Sequence, residues 1–258
     1  MIDNKELFQF LVSEAEHPFL GWNFSYIGNR VKNAPLSWCY HSEILPLIRK
    51  VNSLLDIGTG GGEFLSILMP LPKYTCATEG YKPNFPIAKE LLEPLGVKVF
   101  LTENNEDLPF NDEEFEIVID RHESYSSREI HRILKPGGLF ITQQVGDQND
   151  SKLRFILTNK AKLDNHIDWN LNVAIKELEA NGFKILNAKE DITLTRIFDV
   201  GAIVCYFKAV PWELPDFSVK KYSNKLNEVH NHIIKNGYLD LENNNHRFFI
   251  KAKKQNRN

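Results

Sequence analysis

Cysteine is scarce in this chain: three in 258 residues, Cys39, Cys76 and Cys205, with no C-x-x-C pair among them. An odd number of isolated thiols excludes a disulfide framework, and neither they nor the eight scattered histidines supply a metal-ligand pattern, so no metal is expected. Long apolar runs are also missing. No stretch is long enough to span a bilayer, and no charged segment followed by an apolar one stands at the N-terminus, so a soluble, cytoplasmic protein without a membrane partner is expected. Neither sign of charge dominates: 31 Lys and Arg against 34 Asp and Glu leave a net charge of -3. The one basic cluster is the tail at residues 251–258, expected to be a solvated end, and its isolation argues against a nucleic-acid partner. There are no internal repeats and no low-complexity linker. With 42% hydrophobic residues the chain can bury one α/β core with attached elements.

What is present is concentrated in residues 54–68, LLDIGTGGGEFLSIL, which combine the end of a buried strand, a glycine-rich turn and the start of a helix. Asp56 stands at the carboxyl end of the strand, and Gly58, Gly60 and Gly62 follow at alternate positions. Glycine there lets the backbone turn sharply and approach a ligand closely, and a helix starting near Gly62 or Glu63 would aim free N–H groups into the same space. A pyrophosphate-binding G-x-G-x-x-G counted from Gly58 would need glycine at 63, where a carboxylate, Glu63, would repel a phosphate. A nicotinamide oxidoreductase is therefore disfavoured.

The order D-x-G-x-G-x-G resembles the first motif of the class I S-adenosylmethionine-dependent methyltransferases, of the methyltransferase-11-like small-molecule type, and three later segments continue the resemblance. Residues 73–79, KYTCATE, read as a second strand ending in Glu79, whose carboxylate can accept from both ribose hydroxyls; the plainer alternative is a solvated loop carboxylate. A third strand at 97–102 leads to ENNEDLPF, similar to the family's D-A-x-x-L-P-F, with Asn104 in place of the Asp and Asn105 in place of the Ala. Leu108 and Phe110 are assigned to the core. A fourth strand ends at Asp120, and K-P-G-G at 135–138 resembles the family's last core motif and opens a fifth strand. The resemblance spans roughly residues 51–145.

This resemblance implies a Rossmann-like doubly wound α/β sheet of seven strands, mostly parallel with an antiparallel last strand and helices on both faces. It implies S-adenosyl-L-methionine as cofactor and S-adenosyl-L-homocysteine as product, with cofactor contacts at Asp56, Gly58, Thr59, Gly60, Gly62, Glu79, Asn104, Asn105 and Asp120. The cluster after the fourth strand suggests His122 as a base, Glu123 as its orienting partner or a substrate contact, and Arg121 as a salt-bridge partner for an acidic substrate; packing of His122 and local pairing of the other two is the alternative.

Outside this core, residues 3–16 read as an amphipathic helix bearing Leu7, Phe8, Phe10 and Leu11. Trp22, Phe24, Tyr26, Trp38 and Tyr40 crowd the stretch that follows, either as aromatics packed on the core or as a lid over the cofactor. Polar residues from Gln143 to Asn149 form the fifth strand end. A helix at 168–180, a strand at 183–194, a helix at 198–207 and a last strand at 246–252 are expected. Val219, Tyr222, Leu226, Val229 and Ile233 mark an amphipathic helix in an insertion before the last strand. The expected organisation is a flap at 1–50 and a methyltransferase domain at 51–258 with a cap-like insertion at about 210–242. Because flap and cap would enclose a pocket, a small-molecule acceptor is expected, with an RNA or protein methyltransferase and a non-catalytic cofactor-binding scaffold as alternatives.

Overall fold

Alternating apolar runs and helical stretches fold here as a layered α/β arrangement, seen in a computed structural model that describes residues 4–19, 22–161 and 167–255. In chain order the elements are α1 (Asn4–Ala15), β1 (Val31–Asn33), α2 (Tyr40–Ile48), β2 (Ser53–Ile57), α3 (Glu63–Ser66), β3 (Tyr74–Glu79), α4 (Phe85–Leu92), β4 (Lys98–Leu101), β5 (Phe115–Arg121), α5 (Ser127–Ile133), β6 (Leu134–Val145), α6 (Ser151–Thr158), α7 (Leu171–Ala180), β7 (Phe183–Ile197), α8 (Val200–Ala209), α9 (Val219–Asn236) and β8 (Leu239–Lys254). The sheet runs β1-β7-β8-β6-β5-β2-β3-β4. From β4 to β6 neighbours are parallel, and β8 lies antiparallel between β6 and β7.

The expected doubly wound sheet with an antiparallel last strand is present, with one strand more than expected. That strand, β1, comes from the aromatic N-terminal stretch and pairs antiparallel with the edge of β7, Val31 opposite Ile197. Three residues, V-K-N, carry no period-2 pattern to announce it. The bounds of four other elements also change. β7 and β8 run well past 183–194 and 246–252 because each completes the other's ladder, Ile197 pairing with Leu239. α7 begins at Leu171, where Asn170 caps the Val173 N–H, and α8 at Val200, where Asp199 caps the Ala202 N–H. The helix α6 was not foreseen.

Successive strand residues feed opposite faces, as the pleat requires. Val118, Phe140, Phe248 and Ile250 pack with α5 and α7 on one side, and Ile117, Ile119, Ile141 and Phe249 pack with α2, α3 and α4 on the other. Leu108 and Phe110 lie in the first of these cores, as expected. A third core forms at the β7–β8 end, where α1, α6, α8 and α9 meet. All five apolar positions of α9 named above are buried there, whereas in α1 only Leu7 and Leu11 are, with Phe8 and Phe10 each 38% exposed. The basic tail differs from the expected solvated end: residues 251–254 belong to β8, and the buried Lys254 ammonium donates to the Leu134 carbonyl at 2.6 Å; residues 256–258 lie outside the described residues.

Candidate active site

The carboxyl ends of β2, β3, β4, β5 and β6 share one edge of the sheet, where ligands sit in folds of this type. After β2 the chain turns through Gly58 and Gly60, at φ +64° and +65°, a region closed to most side chains. A Cβ on Gly58 would come within 2.5 Å of the Glu123 stem, and one on Gly60 within 3.0 Å of the Trp22 ring. Gly62 backs onto Leu92. The Thr59 N–H donates to the Thr78 carbonyl at 2.9 Å, which pins the turn to β3. The helix that follows, α3, is a single turn of four residues, so the dipole expected from the sequence is correspondingly short.

Around this turn stand three buried carboxyl groups. Asp56 is 4% exposed, and burial pushes its pKa up to about 7, the nearby Glu79 adding to the rise. Glu79 is 3% exposed; burial raises its pKa while backbone N–H groups of Tyr81, Gly60 and Gly80 oppose the rise, Tyr81 donating to Oε1 at 2.7 Å. It thus ties the end of β3 to the glycine turn and is not a solvated loop carboxylate. Asp120, fully buried at the end of β5, sits opposite Ile57 of β2 and is held well above the usual carboxylate range, chiefly by burial. Its Oδ1 accepts from Gln144 and from the Glu123 N–H, at 3.0 and 3.2 Å.

Two buried oxygens in this group, Asp120 Oδ2 and Thr59 Oγ1, have no hydrogen-bond partner. Buried polar atoms are rarely left so, and their place beside a side-chain-free turn fits a ligand with several donors and acceptors. A cavity of about 330 Å³ continues past Gly58, Thr78 and Gly80 to Asn104, Glu123 and Tyr125. Asn104 uses Oδ1 to accept from the Glu106 N–H at 3.0 Å, shaping its own loop, and Asn105 donates its amide to the Ser124 carbonyl at 2.7 Å.

His122 and Glu123 are adjacent in sequence but do not pair. Glu123 lies over Gly58 and its Oε1 accepts from the Ser124 N–H and hydroxyl. His122, at φ +70°, is exposed and turns Nε2 toward the Gln143 amide at 2.9 Å. The surrounding protein depth, then the charges of Arg247 and Arg121, hold its pKa well below the ordinary imidazole value. Arg121 lies over the Phe64 ring, 4.2 Å from its centroid. The structure therefore brings together Asp56, Gly58, Thr59, Gly60, Gly62, Glu79 and Asp120, lines the adjoining cavity with Asn104 and Asn105, and separates His122 from Glu123.

The aromatic stretch named from the sequence divides at this edge between packed and exposed residues. The Tyr40 hydroxyl, from the first turn of α2, accepts from the Asp120 N–H at 3.2 Å and lies 2.9 Å from the Asp120 and Ile141 carbonyls. Trp38 donates its indole N–H to Gln143 Oε1 at 2.8 Å. Both aromatics are buried, whereas Trp22 is 41% exposed, touches the Gly60 turn and meets Trp212 edge-on at 5.6 Å between ring centroids. Arg30 anchors the segment behind Trp22 by pairing with Glu14 of α1, at 2.8 Å, and with Asp199. No sequence period links these positions. Among the described residues no group of His, Cys, Asp and Glu is arranged to hold a metal ion, and no helix is long and apolar enough to cross a membrane.

Residues 55–142 match a family described as a methyltransferase domain. No curated protein matches the chain by sequence. Among solved structures, the chain is similar to a candidate methyltransferase of Bacillus halodurans, with 18% identity, 84% of this chain and 99% of that one covered, and a TM-score of 0.58. It is also similar to phosphoethanolamine N-methyltransferase 2 of Haemonchus contortus, solved with phosphomonomethylethanolamine and S-adenosylhomocysteine, at 16% identity over 85% of this chain and 53% of that one, with a TM-score of 0.51. A third likeness is to the [4+2]-cyclase SpnF, at 15% identity over 98% and 96% of the two chains, again with a TM-score of 0.51. At these identities the solved structures establish the fold alone, which serves more than one reaction.

Proposed function

We propose that the chain, whose residues 55–142 match a methyltransferase domain, is a class I S-adenosylmethionine-dependent methyltransferase that methylates a small-molecule acceptor held beneath an aromatic cover. The family implies S-adenosylmethionine as cofactor, which supplies a methyl group on a sulfonium centre. The observation that supports a small acceptor is Trp22, which reaches from residues 1–50 across the Gly60 turn to Trp212 on the connection between α8 and α9. In this reading residues 1–50 act as flap and about 210–242 as cap, and a cover of that kind excludes a folded macromolecule while admitting a compact substrate.

The roles of the residues follow from their surroundings. Gly58, Gly60 and Gly62 leave room for close backbone approach, and Thr59 Oγ1 and Asp120 Oδ2 offer the unpartnered oxygens. Glu79 accepts from a ribose, Asn104 and Asn105 border the adenine side, and Asp56 and Asp120 supply negative potential toward a cationic ligand, whose binding would favour their ionised forms. His122 and Glu123 face the acceptor. Displacement at a methyl group needs alignment and exclusion of water above all, and the flap residues serve both. Three free cysteines accord with a cytoplasmic setting.

Calorimetric titration of the chain with S-adenosylmethionine, S-adenosylhomocysteine and NADH tests the cofactor assignment. Binding of the two sulfur ligands at micromolar level, on the order of -8 kcal/mol, and none of NADH is expected. Absence of binding by both sulfur ligands would overturn the reading. The acceptor class is tested by methyl transfer from labelled S-adenosylmethionine to fractionated metabolites, against RNA and protein fractions; label confined to either macromolecule would refute a small acceptor.

A further inference from the structure

The Trp38 indole N–H can only donate, so the Gln143 atom 2.8 Å from it is the amide oxygen. The Gln143 amide nitrogen therefore faces His122 Nε2 at 2.9 Å as a donor. An amide nitrogen offers no lone pair, so Nε2 is the acceptor and carries no proton. The one proton of the neutral ring is on Nδ1. Protonating Nε2 would set two N–H groups against each other, a cost that adds to the surrounding depth of protein and to the charges of Arg247 and Arg121 in keeping His122 neutral.

Arg247 provides the second observation. It stands on β8 opposite Val145, two residues along from the Phe249–Gln143 pair. Its Nη1 donates to Asn149 Oδ1 at 2.6 Å and to the His246 carbonyl at 2.7 Å, and no carboxylate among the described residues lies within 4.0 Å of the guanidinium. The carboxyl groups whose charge reaches it, Asp150 and Glu213, are engaged elsewhere. Asp150 accepts from the Tyr206 hydroxyl, from the Asn149 amide at 2.6 Å and from the Asn244 amide at 3.2 Å, and Glu213 pairs with Arg154. A largely buried guanidinium satisfied by neutral oxygens alone retains most of its capacity for an anion.

We propose that His122 and Arg247 line a subsite that receives an anionic group of the methyl acceptor, a carboxylate or a phosphate, with Trp38 and Gln143 as positioning residues that hold His122 as a hydrogen-bond donor. The inference rests on the reading that this edge of the sheet receives the acceptor, and it assigns His122 a role other than base: its Nε2 is occupied, and its Nδ1–H donates. A neutral donor beside a guanidinium selects acidic substrates over their amides or alcohols, because an uncharged analogue would leave the arginine unpaired.

The test uses the full chain saturated with S-adenosylhomocysteine, with cofactor binding checked by calorimetry on every sample. Long-range proton–nitrogen correlation spectra, with the His122 signals identified by their loss in His122→Gln, should show the Nδ1–H form throughout pH 6–8. Gln143→Glu retains an acceptor for Trp38 but sets a carboxylate opposite Nε2, so the ring should move to the Nε2–H form and titrate at higher pH. At constant ionic strength, sodium formate or inorganic phosphate should displace the His122 and Arg247 side-chain signals, and Arg247→Gln should weaken that response by about tenfold or more. The stronger response of the two names the anionic group. A wild-type His122 that carries its proton on Nε2, or anion responses absent or unchanged in Arg247→Gln while S-adenosylhomocysteine still binds, overturns the subsite. Failure of the wild-type chain to bind S-adenosylhomocysteine overturns the methyltransferase reading and this proposal with it.

Discussion

Glu79 and Gly60 exert their effects by different physics, and the two substitutions separate them. Glu79→Ala removes a buried acceptor of backbone N–H groups and of the proposed ribose hydroxyls, so S-adenosylhomocysteine affinity should fall by about 10- to 100-fold in calorimetry. Gly60→Val combines a β-branched side chain with φ +65° and a contact on Trp22, and should abolish binding altogether. Normal affinity in either variant would move the cofactor away from this turn. Asp120 depends on neighbours that short motifs do not contain. Its position is set by Tyr40 and Gln144, which hold the ends of β5 and β6 together.

Among the elements, the N-terminal segment and α9 contribute in different ways. Trp22 is 41% exposed and meets Trp212 edge-on, so Trp22→Ala should cost only about 1 kcal/mol of stability. If the segment acts as a lid, the same variant should release S-adenosylhomocysteine several-fold faster in stopped-flow fluorescence; an unchanged rate would remove Trp22 from that role. The apolar stripe of α9 is structural. Leu226 is fully buried in the third core, and Leu226→Ala should lower unfolding free energy by about 2–5 kcal/mol in denaturant titration.

For the molecule as a whole, the buried carboxyls make stability depend on pH in a direction opposite to that of an ordinary salt-bridged protein. Asp56 and Glu213 are both raised to about 7, and Glu79, Asp120 and Asp150 are raised as well, in each case first by burial. Between pH 4 and 7 these groups keep protons in the folded chain that the unfolded chain has released. Stability of the ligand-free protein should therefore fall as pH rises through that window, offset in part by Glu14, lowered by the Cys205 thiol and then Arg30, and by Glu129, lowered by Arg132. Asp56→Asn should flatten the decline and gain on the order of a few kcal/mol over wild type by pH 7, measured as midpoint against pH. A steeper decline in the variant would contradict the burial argument. Binding of a cationic cofactor should release protons near pH 6–7, visible as a buffer-dependent calorimetric enthalpy.

Much of this protein is determined locally and is legible in the sequence. Alternating buried strands and amphipathic helices specify a doubly wound sheet, because each element must hide one face. Gly58, Gly60 and Gly62 specify a close-approach turn, and Glu79 about 20 residues later specifies the second strand end. The five-residue stripe of α9 is visible for the same reason, since helical period alone selects its buried side. Other features depend on partners distant in the chain. The eighth strand exists because β7 leaves an unpaired edge for residues 31–33, and no property of V-K-N requires it. The separation of His122 from Glu123 was equally hidden, since adjacency says nothing about where two side chains point once a left-handed residue reverses the chain between a strand and the following helix. Local sequence thus determined the layers and the glycine turn. Only tertiary structure decided the surroundings of His122, because Trp38, Gln143, His122 and Arg247 come from four separate segments that meet only when the strands pair, and the Nε2 of His122 takes its role from the Gln143 amide that Trp38 orients.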